Sequence, residues 1–497
     1  MPDDSYVPEI WDIYREIIGQ HERAGARELA IYKFDFYKRA QDAHAVVTTS
    51  ESVLYTNIIL KKRRHLMIRK SYLKQMAEDW HAGQKYGIMS ACTASPLCIE
   101  ATMRSAMESN TPALIEATSN QVNQFGGYTA MRPADYYSLV ESIAHKVGID
   151  MNDVILGGDH LGPGPFKTEP TESAMKKACD MVFEYVAAGF SKIHLDTSMM
   201  LGDDDAEVGL PNEKIAERAA CMAKSALDGF YERQRICPDT TMPTFIIGSE
   251  VPVPGGAQND GGIIITTPES LDATLKTFKK VFLASGCEEV WNNVIGVVVQ
   301  PGVEFGDSEL SLYDREVASK LTKELHNYPG MIFEGHSTDY QTPNCLKNMA
   351  EDGICILKVG PALTFYQREA IFALESIEKE LFTGKGIALS DYRSILDNSM
   401  LEYPDKWQAY YSGTPEEQRF KRKYSYSDRC RYYFPNKDVS KALDRLLNNL
   451  SNINIPIALL SQYMPIQAYK VRCGIIDNRP LELILARITD LISEYSW

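Results

Sequence analysis

From about residue 86 onward the chain alternates short apolar runs with longer amphipathic stretches. The apolar runs fall at 86–93 (YGIMSACT), 112–118 (PALIEAT), 154–162 (VILGGDHLG) and 192–198 (KIHLDTS). Four more lie at 244–251 (TFIIGSEV), 294–302 (VIGVVVQPG), 331–337 (MIFEGHS) and 354–362 (ICILKVGPA). Each is too short for a helix and too continuously apolar for a half-buried strand, which predicts strands covered on both faces. Between them apolar positions recur at helical spacing, as at 172–188, which Gly189 stops, and at 212–229. Eight buried strands, each followed by a crossover, make the count of a (β/α)8 TIM barrel, an α/β fold. A doubly wound open sheet is the runner-up, but no GxGxxG follows any strand, so a dinucleotide-binding fold lacks its fingerprint.

The two ends read differently. Ile10, Ile13, Tyr14, Ile17 and Ile18 recur at helical spacing behind Pro8, and Gly25 closes that helix. Residues 27–59 mix signals, and a helix around 71–82 leads into the barrel. Beyond 390 the texture turns aromatic and polar (DKWQAYYSG, KYSYSDRCRYYFPN), with helical patterns at 438–450 and 480–496. The expected organisation is an N-terminal helical extension (1–70), the barrel (71–390) and a C-terminal helical cap packed on it (391–497).

Charge and composition narrow the function classes. The formal net charge is −15, which argues against nucleic acid or an anionic membrane as the main partner. Residues 1–85 hold 14 Lys+Arg and 12 Asp+Glu, so they carry +2 and the remainder −17. The basic knot Lys61-Lys62-Arg63-Arg64 reads as a solvated face, with a phosphate or partner role as the alternative. No run of about 18 apolar residues occurs, so no membrane span is expected. The start lacks a signal-peptide pattern, and ten cysteines sit singly with no CxxC pair, which suits reduced thiols in a cytoplasmic protein.

The stretch 154–164, VILGGDHLGPG, sets an apolar strand directly before an adjacent carboxylate and imidazole on a Gly/Pro loop. Active sites of TIM barrels gather residues from the C-terminal strand ends. Those ends supply Glu116, Asp159 with His160, His194 with Asp196, Glu250, Gln300, Glu334 with His336 and Asp339, and Lys358. Side chains alternate along a strand, so not all point inward; each read alone is equally a satisfied core polar residue. Together they suit a divalent cation, zinc or else manganese, nickel or cobalt. His160, Glu250 and His336 are the expected ligands, with Glu334 in reserve. Asp159 is the expected acid/base, with Glu116 and Asp196 as further catalytic candidates. Phosphate sites in this fold use the loops after strands 7 and 8. Here those loops offer Ser337, Thr338, Lys358 and Gly360, with Arg368 beyond them and Ser425, Ser427, Arg429 and Arg431 in the cap. No GxxxxGK[ST] occurs, so a P-loop kinase is not supported.

The blocks IEATSNQVNQFGGYTAMRPAD, GGDHLGP, AGFSKIHLD, EVPVPGG, VVQPGVEF, HSTDYQT and ILKVGPALTF resemble the Z subunits of D-tagatose-1,6-bisphosphate aldolase. The resemblance runs from about residue 71 to the C-terminus. It implies a class II aldolase-like barrel in ketohexose-phosphate catabolism, with a class II aldolase Y subunit as partner. The family is usually described as a non-catalytic stabiliser of that subunit. Some relatives act alone as 4-epimerases of tagatose 6-phosphate or related ketoses, and an older label calls them kinases. Class II aldolases set an acid/base Asp beside a zinc-ligating His, which Asp159-His160 match. Their other ligands are histidines near strands 6 and 7. Here strand 6 ends Val299-Gln300-Pro301 and strand 7 carries Glu334 and His336, so that zinc site is either incomplete or rebuilt with Glu250. Where the family opens its barrel with Ser-Ala-His-Pro, this chain has Thr93-Ala94-Ser95-Pro96. Two expectations follow. One is a metal-assisted 4-epimerase of a ketohexose or ketohexose phosphate, working by retro-aldol/aldol chemistry. The other is a non-catalytic stabilising subunit of the aldolase. Residues 1–70 are expected in homo-oligomer contacts.

Overall fold

A computed structural model describes residues 72–249 and 263–496. The helical extension expected over 1–70, and Glu250, lie outside the described residues. Eight parallel strands close into a barrel: β1 (Ile88–Cys92), β2 (Ala113–Thr118), β3 (Val154–Leu161), β4 (Lys192–Leu195), β5 (Thr244–Ile247), β6 (Val294–Val299), β7 (Ile332–Gly335) and β8 (Ile354–Val359). Neighbours in sequence are neighbours in space, and β1 pairs with β8 through Ser90 and Lys358 to shut the ring. The TIM barrel is therefore the fold.

Every strand except β2 is shorter at its C-terminal end than the apolar run that predicted it, because the last residues of those runs leave the ladder to form the mouth. In the loop after β6 a hairpin of two-residue strands, Glu304–Phe305 and Leu310–Ser311, carries too little pattern to predict.

Helices ring the barrel as the periodicity requires. Helix Thr171–Ala188 ends where Gly189, at φ +107, donates its N–H to Tyr185 O and Val186 O, a left-handed cap that glycine adopts without strain. The helix predicted over 212–229 runs on to Ile236. Gly229 does not stop it; a Cβ there would lie 2.7 Å from Phe183 O, so glycine lets this helix approach Thr171–Ala188 closely. Ala216, Ala219, Ala223 and Ala226 are fully buried along the same helix.

C-terminal to the barrel, helix Pro480–Ser493 packs against Pro96–Ser109 and Pro361–Phe382. Three contacts tie this region to the barrel mouth: Tyr495 Oη donates to Thr338 O (2.9 Å), Tyr340 Oη to Tyr426 O (2.7 Å), and Tyr426 N to Asp307 O (2.9 Å). No described helix is long and apolar enough to cross a membrane, and the ten cysteines form no disulfide.

Candidate functional site

Strand β3 presents two consecutive residues to the same cavity, which a regular strand cannot do. Its register with β4 shifts between Gly158 and Leu161, and His160 sits at φ +46. This bulge turns both Asp159 and His160 toward the mouth. Left-handed backbone is costly for a residue with a Cβ. The flanking glycines have separate reasons. A Cβ on Gly157 would fall 2.6 Å from Glu116 Cγ, and one on Gly162 would fall 1.6 Å from Asp196 O.

Beneath the mouth lies a buried network of charges. Lys192, the first residue of β4 and fully buried, bonds both Glu116 oxygens (2.7 and 2.8 Å) and lies 2.5 Å from Glu334 Oε2. Ser90 Oγ donates to Glu116 Oε1 (2.5 Å). Lys358, from β8, contacts Asp159 Oδ1 and lies 3.3 Å from Glu334 Oε1. Burial by itself would raise both of those carboxyls. His160 and Lys358 nevertheless hold Asp159 well below the usual carboxylate range, and Lys192 and Lys358 do the same for Glu334. Both are ionised.

Three imidazoles meet above these carboxylates, with ring centroids 4.7 Å apart for His160–His336 and 5.2 Å for His160–His194 and His194–His336. They are not equivalent. His160 bonds Asp196 Oδ2 through Nδ1 (2.9 Å); burial pulls its pKa down, but Asp159 and Asp196 lift it above the ordinary value. Burial keeps His194 neutral, and burial with Lys358 pushes His336 to about 3. His336 Nε2 lies 2.9 Å from Glu334 Oε1.

His194 tests whether a cation fits. Its Nδ1 accepts the His160 backbone N–H (3.2 Å), yet the same atom faces Asp159 Oδ1 at 3.2 Å and Glu334 Oε1 at 3.9 Å. A nitrogen lone pair set against two carboxylate oxygens is repulsive unless positive charge lies among them; the Lys358 ammonium, on the same two oxygens, holds the place that a cation would share or take. Its Nε2 is buried without a partner. One donor atom each from Asp159, His194, Glu334 and His336 lies within 4.8 Å of the others. Four carboxylates (Glu116, Asp159, Asp196 and Glu334) face two ammonium groups and His160, so the cluster keeps at least one negative charge. Mixed nitrogen and oxygen donors with excess negative charge suit a zinc-like divalent ion.

The expected site residues divide accordingly. Asp159, His160 and His336 line the cavity with Ser337, Lys358, Gly360 and Arg431. Glu334 lies just beneath it. Glu116 is locked to Lys192 and Ser90, and Asp196 to His160 and Ser198, so both act through neighbours. Thr338 donates to Lys358 O (2.8 Å), Ser427 bonds Ser425 and Tyr411, and Arg368 is paired with Asp428 (2.7 Å); none of the three lines the cavity. Gln300 closes its own turn by accepting from Gly302 N and Val303 N. His194 was legible as a strand-end histidine, but its place in the donor cluster was not. Lys192 was missed, although a lysine opening the apolar run KIHL is itself a signal of a buried counter-ion.

A family model described as D-tagatose-1,6-bisphosphate aldolase subunit GatZ/KbaZ-like matches residues 73–497, and a model of the RbsD / FucU transport protein family matches residues 1–63. Among solved structures, the chain is similar to a probable tagatose 6 phosphate kinase from Sinorhizobium meliloti 1021, with 40% identity over 82% of this chain and 99% of that one, at a TM-score of 0.75. More distant matches are the YdjI aldolase from Escherichia coli K12 (14% identity, 76% and 98% covered, TM-score 0.36). Fructose-bisphosphate aldolase from Campylobacter jejuni is similarly remote (14%, 77% and 92% covered, TM-score 0.39). By the family model that spans its barrel and everything C-terminal to it, the chain belongs to the D-tagatose-1,6-bisphosphate aldolase subunit GatZ/KbaZ-like family.

Proposed function

We propose that the chain is a metal-assisted 4-epimerase of a ketohexose phosphate, acting by retro-aldol cleavage and re-addition. The observation that carries this reading is the bulge that sets an ionised Asp159 beside His160 on a cavity wall, directly over a buried His/carboxylate donor cluster. The names of the Sinorhizobium relative and of the family supply the sugar, a tagatose phosphate.

When held by His194, Glu334 and His336, a divalent cation supplies Lewis-acid polarisation of the ketose carbonyl and its neighbouring hydroxyl. Asp159 takes the proton of the C4 hydroxyl as the C3–C4 bond breaks. That bond's electron pair passes through C3 into the C2 carbonyl, leaving an enediolate and a C4 aldehyde. The aldehyde turns about C4–C5, C3 attacks its other face, and the new O4 alkoxide takes a proton from His160. Asp196 holds His160 charged and oriented for that step. Asp159 then returns its proton to His160 Nε2, 3.8 Å from Oδ1. No co-reactant is consumed. Lys358 holds Glu334 ionised and returns Asp159 to its ionised form once that proton has left.

A second reading, the non-catalytic stabilising subunit of a class II aldolase, is favoured by the family's description as an aldolase subunit and by the lack of a histidine at the end of β6. Purified chain with zinc or manganese, incubated with tagatose 6-phosphate and followed by NMR, separates the two. Fructose 6-phosphate should accumulate, and Asp159→Asn should abolish it in a chain that still folds. No turnover by the chain alone, with stabilisation of an added class II aldolase subunit, would establish the second reading instead.

A further inference from the structure

The cavity is polar in the electrical sense: its floor carries excess negative charge, and its cap-side wall carries a cation that makes no ion pair at contact distance. That cation is Arg431, in the short turn Arg429–Tyr433, which lines the cavity beside Tyr432, Tyr128 and Gln121. Its Nη1 donates to Ser427 O and to Asp428 O (3.0 Å), and its Nη2 to Tyr432 Oη (3.2 Å). Two of these acceptors are backbone carbonyls and the third is a phenol oxygen. The Nε–H and one Nη2–H have no partner among the described residues, and no carboxylate lies within ion-pair distance. Arg368 is paired with Asp428, Arg422 with Asp397 and Arg218 with Asp204. Arg429 in the same turn also lacks a carboxylate, but it bonds Lys406 O, lies over the Tyr410 ring and does not line the cavity.

The usual alternative anion site in this fold, the helix N-terminus after β8, is already filled. Asp339 Oδ1 accepts Gly360 N (3.0 Å) and Ala362 N (2.8 Å), the leading amides of helix Pro361–Phe382. A second anion placed there would meet a carboxyl group instead of free N–H groups.

We infer that Arg431 is the residue that anchors the anionic end of the substrate, and that Asp339 closes the helix N-terminus to it. The sugar then lies with its phosphate toward the C-terminal cap and its reacting carbons toward Asp159. The guanidinium offers two adjacent N–H groups, the geometry that suits two oxygens of one phosphate. This inference rests on the ketose-phosphate reading above, and binding is the quantity that tests it separately from turnover.

The test is calorimetric titration of the full chain carrying Asp159→Asn, so that no turnover intervenes, with fructose 6-phosphate, fructose and a keto-hexuronate. The phosphorylated ketose should bind at least tenfold more tightly than fructose. Arg431→Met should erase that ratio while leaving fructose affinity unchanged, and Arg431→Lys should recover only part of it. If Arg431→Met does not fold, Arg431→Lys alone must weaken fructose 6-phosphate several-fold and leave fructose unaffected. Retention of the ratio in either variant would overturn the assignment, and so would a hexuronate that binds as tightly as the phosphate ester. Failure of epimerase activity would leave each of these results interpretable.

Discussion

Lys358→Met removes the ammonium that holds two carboxylates of the donor cluster, and its effects are separable. The ammonium touches Asp159 and lies 3.3 Å from Glu334 Oε1, with both carboxylates buried. At an effective dielectric near 20, a unit-charge contact of that length is worth about 5 kcal/mol. Desolvation of the ammonium offsets much of this, and deleting one member of a buried ion pair costs about 3–5 kcal/mol because the partners are left uncompensated. The metal-free variant should therefore lose that much stability in urea unfolding followed in the presence of chelator. The same deletion removes a positive charge that competes for the space and the carboxylates a divalent ion would use. Zinc affinity, measured by competition with a chromophoric chelator, should rise at least tenfold, and zinc should restore most of the lost stability. A metal-free variant as stable as the wild type would refute the ion-pair argument. Weaker zinc binding in the variant would refute the competition.

Burial pushes the Asp339 carboxyl up to about 6, above the ordinary value near 3.9 of an unfolded chain. The folded state thus holds this proton more tightly, so its contribution is full below pH ~4 and is lost as pH rises through 6. Asp339→Asn keeps an acceptor for the Gly360 and Ala362 amides and removes the loss, gaining about 3 kcal/mol at pH 7. Parallel curves of melting temperature against pH for the two proteins would refute this. Gly162→Ala would place a Cβ 1.6 Å from Asp196 O, a backbone atom that cannot swing aside, so the cost should exceed the ~1–3 kcal/mol of ordinary overpacking and abolish soluble yield. Gly209→Ala, at φ +72 but in open space, should cost only about 1 kcal/mol, and equal soluble yields of the two variants would show that the close approach is not decisive.

The barrel was legible because a buried parallel strand writes itself as a continuous apolar run, and eight such runs survive even where Lys192 and Glu116 interrupt them. The mouth was less legible because its geometry departs from strand periodicity. A reader counting alternate residues from Val154 would put Asp159 and His160 on opposite faces; the one-residue bulge, which no local pattern announces, brings them to one side. The ligand-rich strand ends were visible as residue types. Their partition into donor cluster, counter-ion and support was not, since it depends on which acid reaches which base across β2, β4, β7 and β8. The phosphate side shows the same limit. Ser337, Thr338 and Gly360 read as free donors in sequence, yet the Gly360 amide is taken by Asp339, and Arg368 reads like Arg431 until Asp428 is placed beside it.

The bulge also decides how much of this barrel would have to move if its chemistry were transplanted. Gly157 is a glycine because of Glu116 on β2, Gly162 because of the Asp196 backbone beyond β4, and the left-handed His160 is tethered through Asp196. The stretch GGDHLG grafted alone would bring Asp159 and His160 and none of the surroundings that make their backbone tolerable. The smallest portable unit is the three-strand sector β2–β3–β4. Exchange of single βα units would break the bulge at either seam, whereas exchange of the sector would carry the bulge with its supports and leave Glu334, His336 and Lys358 to be supplied by the host's β7 and β8.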